Sequence, residues 1–376
     1  MKALAASRIF DGSDWHEGMC VLLHDDRVIG IERVDALPAY TSVEHLPDDM
    51  MLVPGFVDLQ VNGGGGVMFN DAPSPDTLRI IADAHMRLGT TSILPTLISS
   101  DQPMREAALE AAHRAIEDGV AGIAGLHLEG PFFAMARRGI HPAAAIAVPE
   151  RADIEMLTKA FPGPMVITLA PEIVSAAHVK ALVAAGRFVF AGHSDASFEQ
   201  ANAGFDAGVM GSTHLFNAMS PVQSRAPGLV GAAMLRGVAG IIVDLLHVHP
   251  ASVALAFRAM GPERLFLVSD AMATAGSDCT SFELAGTMIR LENDRLTDAA
   301  GTLAGAHLSM AEAVRRAVAG VGIPLSDAVR MATRTPADAV GLFDRGRITP
   351  GSRTDFVALD ADLAVCGVWR GGERCA

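Results

Sequence analysis

This chain of 376 residues has four cysteines, and no two of them form a C-x-x-C pair. Cys20, Cys279, Cys366 and Cys375 therefore suggest neither a disulfide framework nor a thiolate zinc site. Basic residues are also scarce. There are 29 Lys and Arg against 43 Asp and Glu, for a net charge of −14. A general nucleic-acid binder needs positive surface against phosphate, so that class is excluded, although a local cationic pocket for a small anion is not. No apolar run approaches the roughly 20 residues that a membrane span requires. The N-terminal stretch MKALAASRIFDGSDW reaches Asp11 and Asp14 before any apolar core of signal-peptide length. Internal repeats and low-complexity linkers are lacking too. The expectation is a soluble, reduced, cytoplasmic protein with neither nucleic acid nor membrane as a partner. What the chain does have is apolar content: half its residues are hydrophobic and only 19% are charged, ample for a deep core.

Eight runs through the middle of the chain read as strands: 53–62, 90–98, 122–130, 165–172, 187–194, 211–216, 240–248 and 264–270. Most are rich in Val, Ile, Leu or Thr, as strands buried on both faces are. The sixth, GSTHLF, is the weakest. Ala-rich segments with helical spacing lie between them, and 75–89 and 104–119 each end at Gly. Eight strands alternating with helices predict an α/β fold, a (β/α)8 TIM-like barrel. An open doubly wound sheet is the competing arrangement. It calls for a Gly-rich phosphate turn after the first strand, and GGGG at 63–66 lacks the G-x-G-x-x-G spacing. The short alternating runs of 1–52 resemble those of 346–376. Both ends are expected to build one small β-sandwich domain, with 53–345 as the barrel.

Reactive residues of a barrel sit at the C-terminal ends of its strands. The first run ends in Gln60-x-Asn62, the third in His127-Leu128-Glu129, the fifth in His193 and the sixth in His214. The seventh ends in Asp244 and His247-Val248-His249, the eighth in Asp270. Two imidazoles and one carboxylate, Glu129, His193 and His214, are a common catalytic ligand set for a divalent metal such as zinc or iron. Asp270 neighbours them across a closed barrel and suits a general base beside metal-bound water. A single strand histidine is more often a hydrogen-bonded core residue than a ligand; four candidate groups at one end of one barrel carry the functional reading. His85, His113 and His178 fall within helical runs and read as surface or packing residues. Cys279 has no evident partner base.

Taken in order, PGFVDLQVNG, HLEGPF, AGHSDA, THLFNAM, APGLVGAAM, DLLHV and SDAM resemble the N-acetylglucosamine-6-phosphate deacetylases of the amidohydrolase superfamily. The resemblance spans about 50–345, and the terminal sandwich also fits. Many amidohydrolases carry His-x-His at the first strand and a carboxylated Lys later. Here Gln60-x-Asn62 and Glu129 stand instead, as these deacetylases commonly have. The resemblance implies that Glu129, His193 and His214 are metal ligands and that Asp270 is the catalytic acid/base. It implies that His141 contacts sugar hydroxyls, and that Asn217, Ala218, Arg225 and His247 make the phosphate and sugar contacts. Leu303 matches a segment that closes over the acetamido group. Part of the phosphate site can come from the neighbouring subunit in this family, which implies a homodimer. Departures are Leu245 where the family usually has Gly, His249 beyond the family histidine, His307 where Ser is commoner, and SDAM for TDA.

The implied reaction is hydrolysis of N-acetyl-D-glucosamine 6-phosphate to D-glucosamine 6-phosphate and acetate. One divalent metal per subunit, Zn or Fe, is expected, because neutral amides are weak ligands at the first strand. The alternatives are a deacetylase for N-acetylgalactosamine 6-phosphate, and a non-catalytic barrel that binds amino-sugar phosphates.

Overall fold

Eight parallel strands follow one another in chain order round a barrel in the computed structural model, which describes residues 1–376. They are β1 (Phe56–Val61), β2 (Thr90–Ile98), β3 (Leu126–Glu129), β4 (Met165–Leu169), β5 (Phe188–Ala191), β6 (Gly211–Ser212), β7 (Val238–Ile241) and β8 (Leu265–Leu267). Every residue of β1, β2 and β4 is buried, as a parallel sheet covered on both faces demands. The ring closes just past β8. The Asp270 N–H donates to the Gln60 carbonyl at 3.0 Å, and Val61 bridges Ala271 in parallel. The Asp58 carboxylate reinforces this seam by accepting the Ser269 N–H at 3.3 Å.

Helices cover the outside of the barrel for local reasons. In α1 (Pro75–Arg87) the Ser74 hydroxyl accepts the Thr77 N–H and proline opens the first turn. In α2 (Gln102–Glu117) Asp101 does the same for Met104. Leu78, Ile81, Ala82 and His85 of α1 are buried at helical spacing. Gly89 and Gly119, which follow the helices, have positive φ, the conformation a helix stop uses.

Several strands are shorter than the apolar runs suggest. The run 211–216 pairs only at Gly211–Ser212, where the backbones lie so close that a Cβ on Gly211 would stand 2.5 Å from the Val238 carbonyl oxygen. The third run makes one parallel bridge, Ile123 to Ile93, before its continuous pairing begins at Leu126, and the seventh leaves the sheet after Ile241. The polar residues at the ends of the fifth to eighth runs therefore lie on loops above the barrel mouth. GGGG at 63–66 is a small hairpin: Gly63–Gly64 pairs with Val67–Met68, and Gly65 and Gly66 turn the chain at positive φ.

The two chain ends share one sheet. Strand Met51–Pro54 pairs in parallel with Lys2–Phe10 and antiparallel with Phe356–Leu359. This sheet rolls up, since Val28, in the edge strand Arg27–Arg33, exchanges hydrogen bonds with residues just before Phe356: Val28 N–H to the Ser352 carbonyl and Gly351 N–H to the Val28 carbonyl, both 2.9 Å. The two layers of the expected sandwich are thus halves of one continuous sheet, rolled about Leu4, Ile9, Val21, Leu52, Phe356 and Trp369. A separate three-stranded sheet (Ser281–Leu284, Thr287–Glu292, Arg295–Thr297) is inserted after β8. Its signal is present in SFELAGTMIRLENDRLT: alternation broken at Ala285-Gly286 and Asn293-Asp294, all four at positive φ as two-residue hairpins require. No helix of the structure is long and apolar enough to cross a membrane.

Candidate active site

Glu129 is the last residue of β3, while His193, His214 and Asp270 stand two, two and three residues beyond β5, β6 and β8. These last three have φ of +48°, +28° and +51°. Left-handed backbone costs a non-glycine residue about 1–2 kcal/mol, and the surrounding fold must supply it. The geometry turns each side chain inward over the barrel axis. His193 Nε2 lies 3.3 Å and His214 Nε2 2.9 Å from Glu129 Oε1, and the two nitrogens are 3.0 Å apart. All three residues are buried. The donor atoms lie within 4.8 Å of one another, and a set of two imidazole nitrogens and one carboxylate oxygen fits a divalent cation.

Hydrogen bonds determine which atoms face the cluster. His193 Nδ1 donates to the Arg137 carbonyl at 2.9 Å, which leaves Nε2 free to ligate, and Phe133 stacks on the ring at 4.3 Å. Burial alone would push the Glu129 carboxyl up. Hydrogen bonds from His193 and His214 outweigh it and hold the group well below the usual carboxylate range. Asp270 behaves in the opposite way. Burial, and then the charge of Glu129, push it up to about 7; a cation on Glu129 acts against that shift. Asp270 Oδ1 accepts Asn62 Nδ2 at 2.6 Å and Gln60 Nε2 at 3.1 Å, and Gln60 Nε2 also reaches Glu129 Oε1 at 3.1 Å. The two neutral residues of the first strand thus act here as donors to carboxylates.

A pocket of about 370 Å³ opens over this cluster, lined among others by His141, Asn217, Ala218, His247 and Leu303. His141 Nδ1 accepts the Ser99 N–H at 3.2 Å, so its proton is on Nε2. Burial, then His193, hold His141 well below the usual histidine value, so the ring is neutral. His247 Nδ1 is 2.6 Å from Asp244 Oδ2, and Asp244 Oδ1 accepts the Leu246 and His247 N–H groups. Arg225 is the one expected site residue that the structure does not bring here. It is exposed on the 221–226 loop, outside the pocket lining, and no Lys or Arg of this chain lines the pocket.

Three of the departures noted in the sequence can be placed. Leu245 sits at φ +62°, where glycine is the easier residue. His249 caps the helix Pro250–Met260 by accepting the Ala251 N–H, and His307 bonds Thr274 Oγ1 outside the pocket. His85 is a core residue, with Nε2 against the Gly63 carbonyl at 2.9 Å, and Cys279 Sγ meets only the Ser281 carbonyl. One supporting neighbour, Ser99, is missing from the strand-end residues read in the sequence, and another, Asp244, is among them without a role. Ser99, which supports His141, is the first polar residue after β2, and applying the strand-end rule to that strand finds it. Asp244 stands at a strand end, yet its role as a partner of His247 has no sequence signal. Lower in the barrel, His127 is also buried, and desolvation pushes it down to about 4, so it is neutral.

Residues 51–374 match the amidohydrolase family. An N-acetylgalactosamine-6-phosphate deacetylase of Shewanella sp. (strain ANA-3) is 46% identical over 325 residues, 86% of this chain and 82% of that one. An N-acetylglucosamine-6-phosphate deacetylase of Haemophilus influenzae is 36% identical over 334 residues, 86% of each chain. The crystal structure of N-acetylglucosamine-6-phosphate deacetylase from Pasteurella multocida superimposes with a TM-score of 0.96 at 34% identity, over 100% of this chain and 99% of that one. With the barrel, the buried cluster and these likenesses together, the chain belongs to the amidohydrolase family, in the branch of the N-acetylglucosamine- and N-acetylgalactosamine-6-phosphate deacetylases.

Proposed function

We propose that this protein hydrolyses the acetamide of N-acetyl-D-glucosamine 6-phosphate, releasing acetate and D-glucosamine 6-phosphate. The observation that carries the reading is the Glu129–His193–His214 cluster with Asp270 beside it at the floor of the pocket. One divalent cation held by that cluster, zinc or iron, would polarise the acetyl carbonyl and acidify the attacking water. Asp270 has one oxygen taken by two amide donors, which leaves Oδ2 to accept the proton of that water. The same oxygen then gives the proton to the sugar nitrogen, because an amine departs only when protonated. His141 lines the pocket with its proton on Nε2 and stabilises the oxyanion that forms on the acetyl oxygen. Leu303 closes the acetamido end.

Asn217, the Ala218 amide and His247 take the 6-phosphate. With no Lys or Arg of this chain in the pocket, a dianion needs a cation from elsewhere. Arg225, exposed on its loop, supplies it from the neighbouring subunit of a homodimer. A panel of N-acetylated sugars, with and without phosphate, assayed after chelation and again after metal reconstitution, tests the reading. No acetate release from any phosphorylated sugar with metal restored would overturn it. A second reading, N-acetylgalactosamine 6-phosphate as substrate, is favoured by the higher identity to the Shewanella relative. Side-by-side kcat/KM for the two epimers decides between them.

A further inference from the structure

His214 is oriented differently from its partner histidine. His193 is held through Nδ1 by a backbone carbonyl, but His214 Nδ1 is buried with no hydrogen-bond partner. A ligating imidazole is ordinarily aimed through its second nitrogen, so His214 must be aimed by other means. Its own flanks are fixed: the Thr213 N–H donates to the Ala191 carbonyl at 3.1 Å and the Leu215 N–H to the Gly240 carbonyl at 2.7 Å. Beneath them runs a buried chain of polar side chains. His127 Nδ1 lies 3.0 Å from the Leu59 carbonyl, His127 Nε2 lies 2.7 Å from Thr168 Oγ1, and Thr168 Oγ1 lies 2.5 Å from Thr213 Oγ1.

The chemistry of the end group fixes the first bond of this chain. A carbonyl can only accept, so His127 Nδ1 carries the ring proton. Nε2 is left to meet the Thr168 hydroxyl, and that hydroxyl meets Thr213 in turn. One end of the chain is the residue before Gln60, whose amide holds Glu129 and Asp270. The other end is the residue before His214. The chain thus crosses the barrel one layer below the cluster, with His127 two residues before Glu129 on β3.

We propose that His127, Thr168 and Thr213 are positioning residues: their hydrogen-bond chain locks the Thr213 side chain and backbone, and so aims the His214 ring at the metal position in place of an Nδ1 partner. This rests on the reading of His214 as a ligand. Thr213→Val keeps the shape of the side chain and removes its hydroxyl, while Thr213→Ser keeps the hydroxyl and removes the methyl. Zn²⁺ affinity, measured by competition with a chromogenic chelator, should weaken at least tenfold in Thr213→Val and stay within about twofold of wild type in Thr213→Ser. Thr168→Val should match Thr213→Val, and stands in for it if that variant does not fold.

Wild-type affinity in both valine variants would overturn the inference. So would the reverse order, with serine worse than valine, because packing alone would then explain the effect. His214→Ala separates this from the ligand reading. Metal loss there with wild-type affinity in Thr213→Val removes the positioning chain only; full metal retention there removes the ligand assignment and the chain together.

Discussion

Replacing Asp270 by asparagine isolates the proton-transfer role from everything else the residue does. Its Oδ1 accepts from Asn62 at 2.6 Å and Gln60 at 3.1 Å, and an asparagine oxygen can take both donors. The side chain is the same size, and the residue's φ of +51° suits asparagine at least as well. Asp270→Asn should therefore fold and bind metal and substrate. In the metal-free protein burial and Glu129 raise the carboxyl to about 7, so its ionised form is disfavoured there. The neutral variant should consequently melt no lower than wild type at pH 8. Turnover is a separate matter, because an amide cannot accept a proton near neutral pH. A positioned acid/base contributes roughly 10²–10⁴, or about 3–5 kcal/mol of barrier, and the same group serves two steps. Metal content and kcat measured on one purified sample give the answer. A fall of less than about tenfold with metal retained would place the acid/base elsewhere. Loss of the metal would instead make Asp270 a ligand.

Glu129→Gln and His193→Ala should each lower metal content and activity together, and full occupancy in either by elemental analysis would contradict the assignment. Arg225→Met should raise KM for the 6-phosphate sugar by the equivalent of about 2–3 kcal/mol, a lost charged hydrogen bond, and affect the unphosphorylated sugar much less; equal losses would make the residue structural. Sedimentation should show a dimer, and a fully active monomer would remove the cross-subunit contact. Asp58, buried on the β1–β8 seam, is pushed by desolvation up to about 7. A folded-state value above the unfolded one means that stability falls as pH rises from about 4 to 7, by up to about 4 kcal/mol. Asp58→Asn should flatten that segment of the denaturation-versus-pH profile, and an unchanged slope would show that the carboxylate is well solvated by its N–H donors.

The cluster was legible because its chemistry is concentrated where barrel geometry makes chemistry converge. Glu129, His193, His214 and Asp270 are each a polar residue at the end of an apolar run, and the alternation of runs and helices puts those ends together. The residues that support them were harder to see. The left-handed backbone at His193, His214 and Asp270 leaves no mark in residue type, because none of them is glycine. Asp244 is visible at the end of a run, but its pairing with His247 is not. Thr168 and Thr213 read as ordinary β-formers, and their roles depend on two strands being brought side-chain to side-chain. The inserted sheet at 281–297 had a readable alternation, but it fell outside the strand-and-helix rhythm that identified the barrel. Arg225 was reached through motif order alone, which carries no distance, and its exposed loop lies outside the pocket lining.

The strand Met51–Pro54 lies between the first strand of the chain and one near its end, with Val53 paired to Val357. This fixes an order of assembly. A chain made from its N-terminus carries Met51–Pro54 with an open hydrogen-bonding edge until Phe356–Leu359 has been synthesised, and that pairing closes a loop around the entire barrel. Gln60 follows six residues after Pro54 on the same stretch of chain. The final strands therefore act as a clasp on the segment that leads into the site. A protein lacking them would hold its candidate site residues intact in sequence, yet display an unpaired apolar strand edge of the kind that recruits other chains into aggregates.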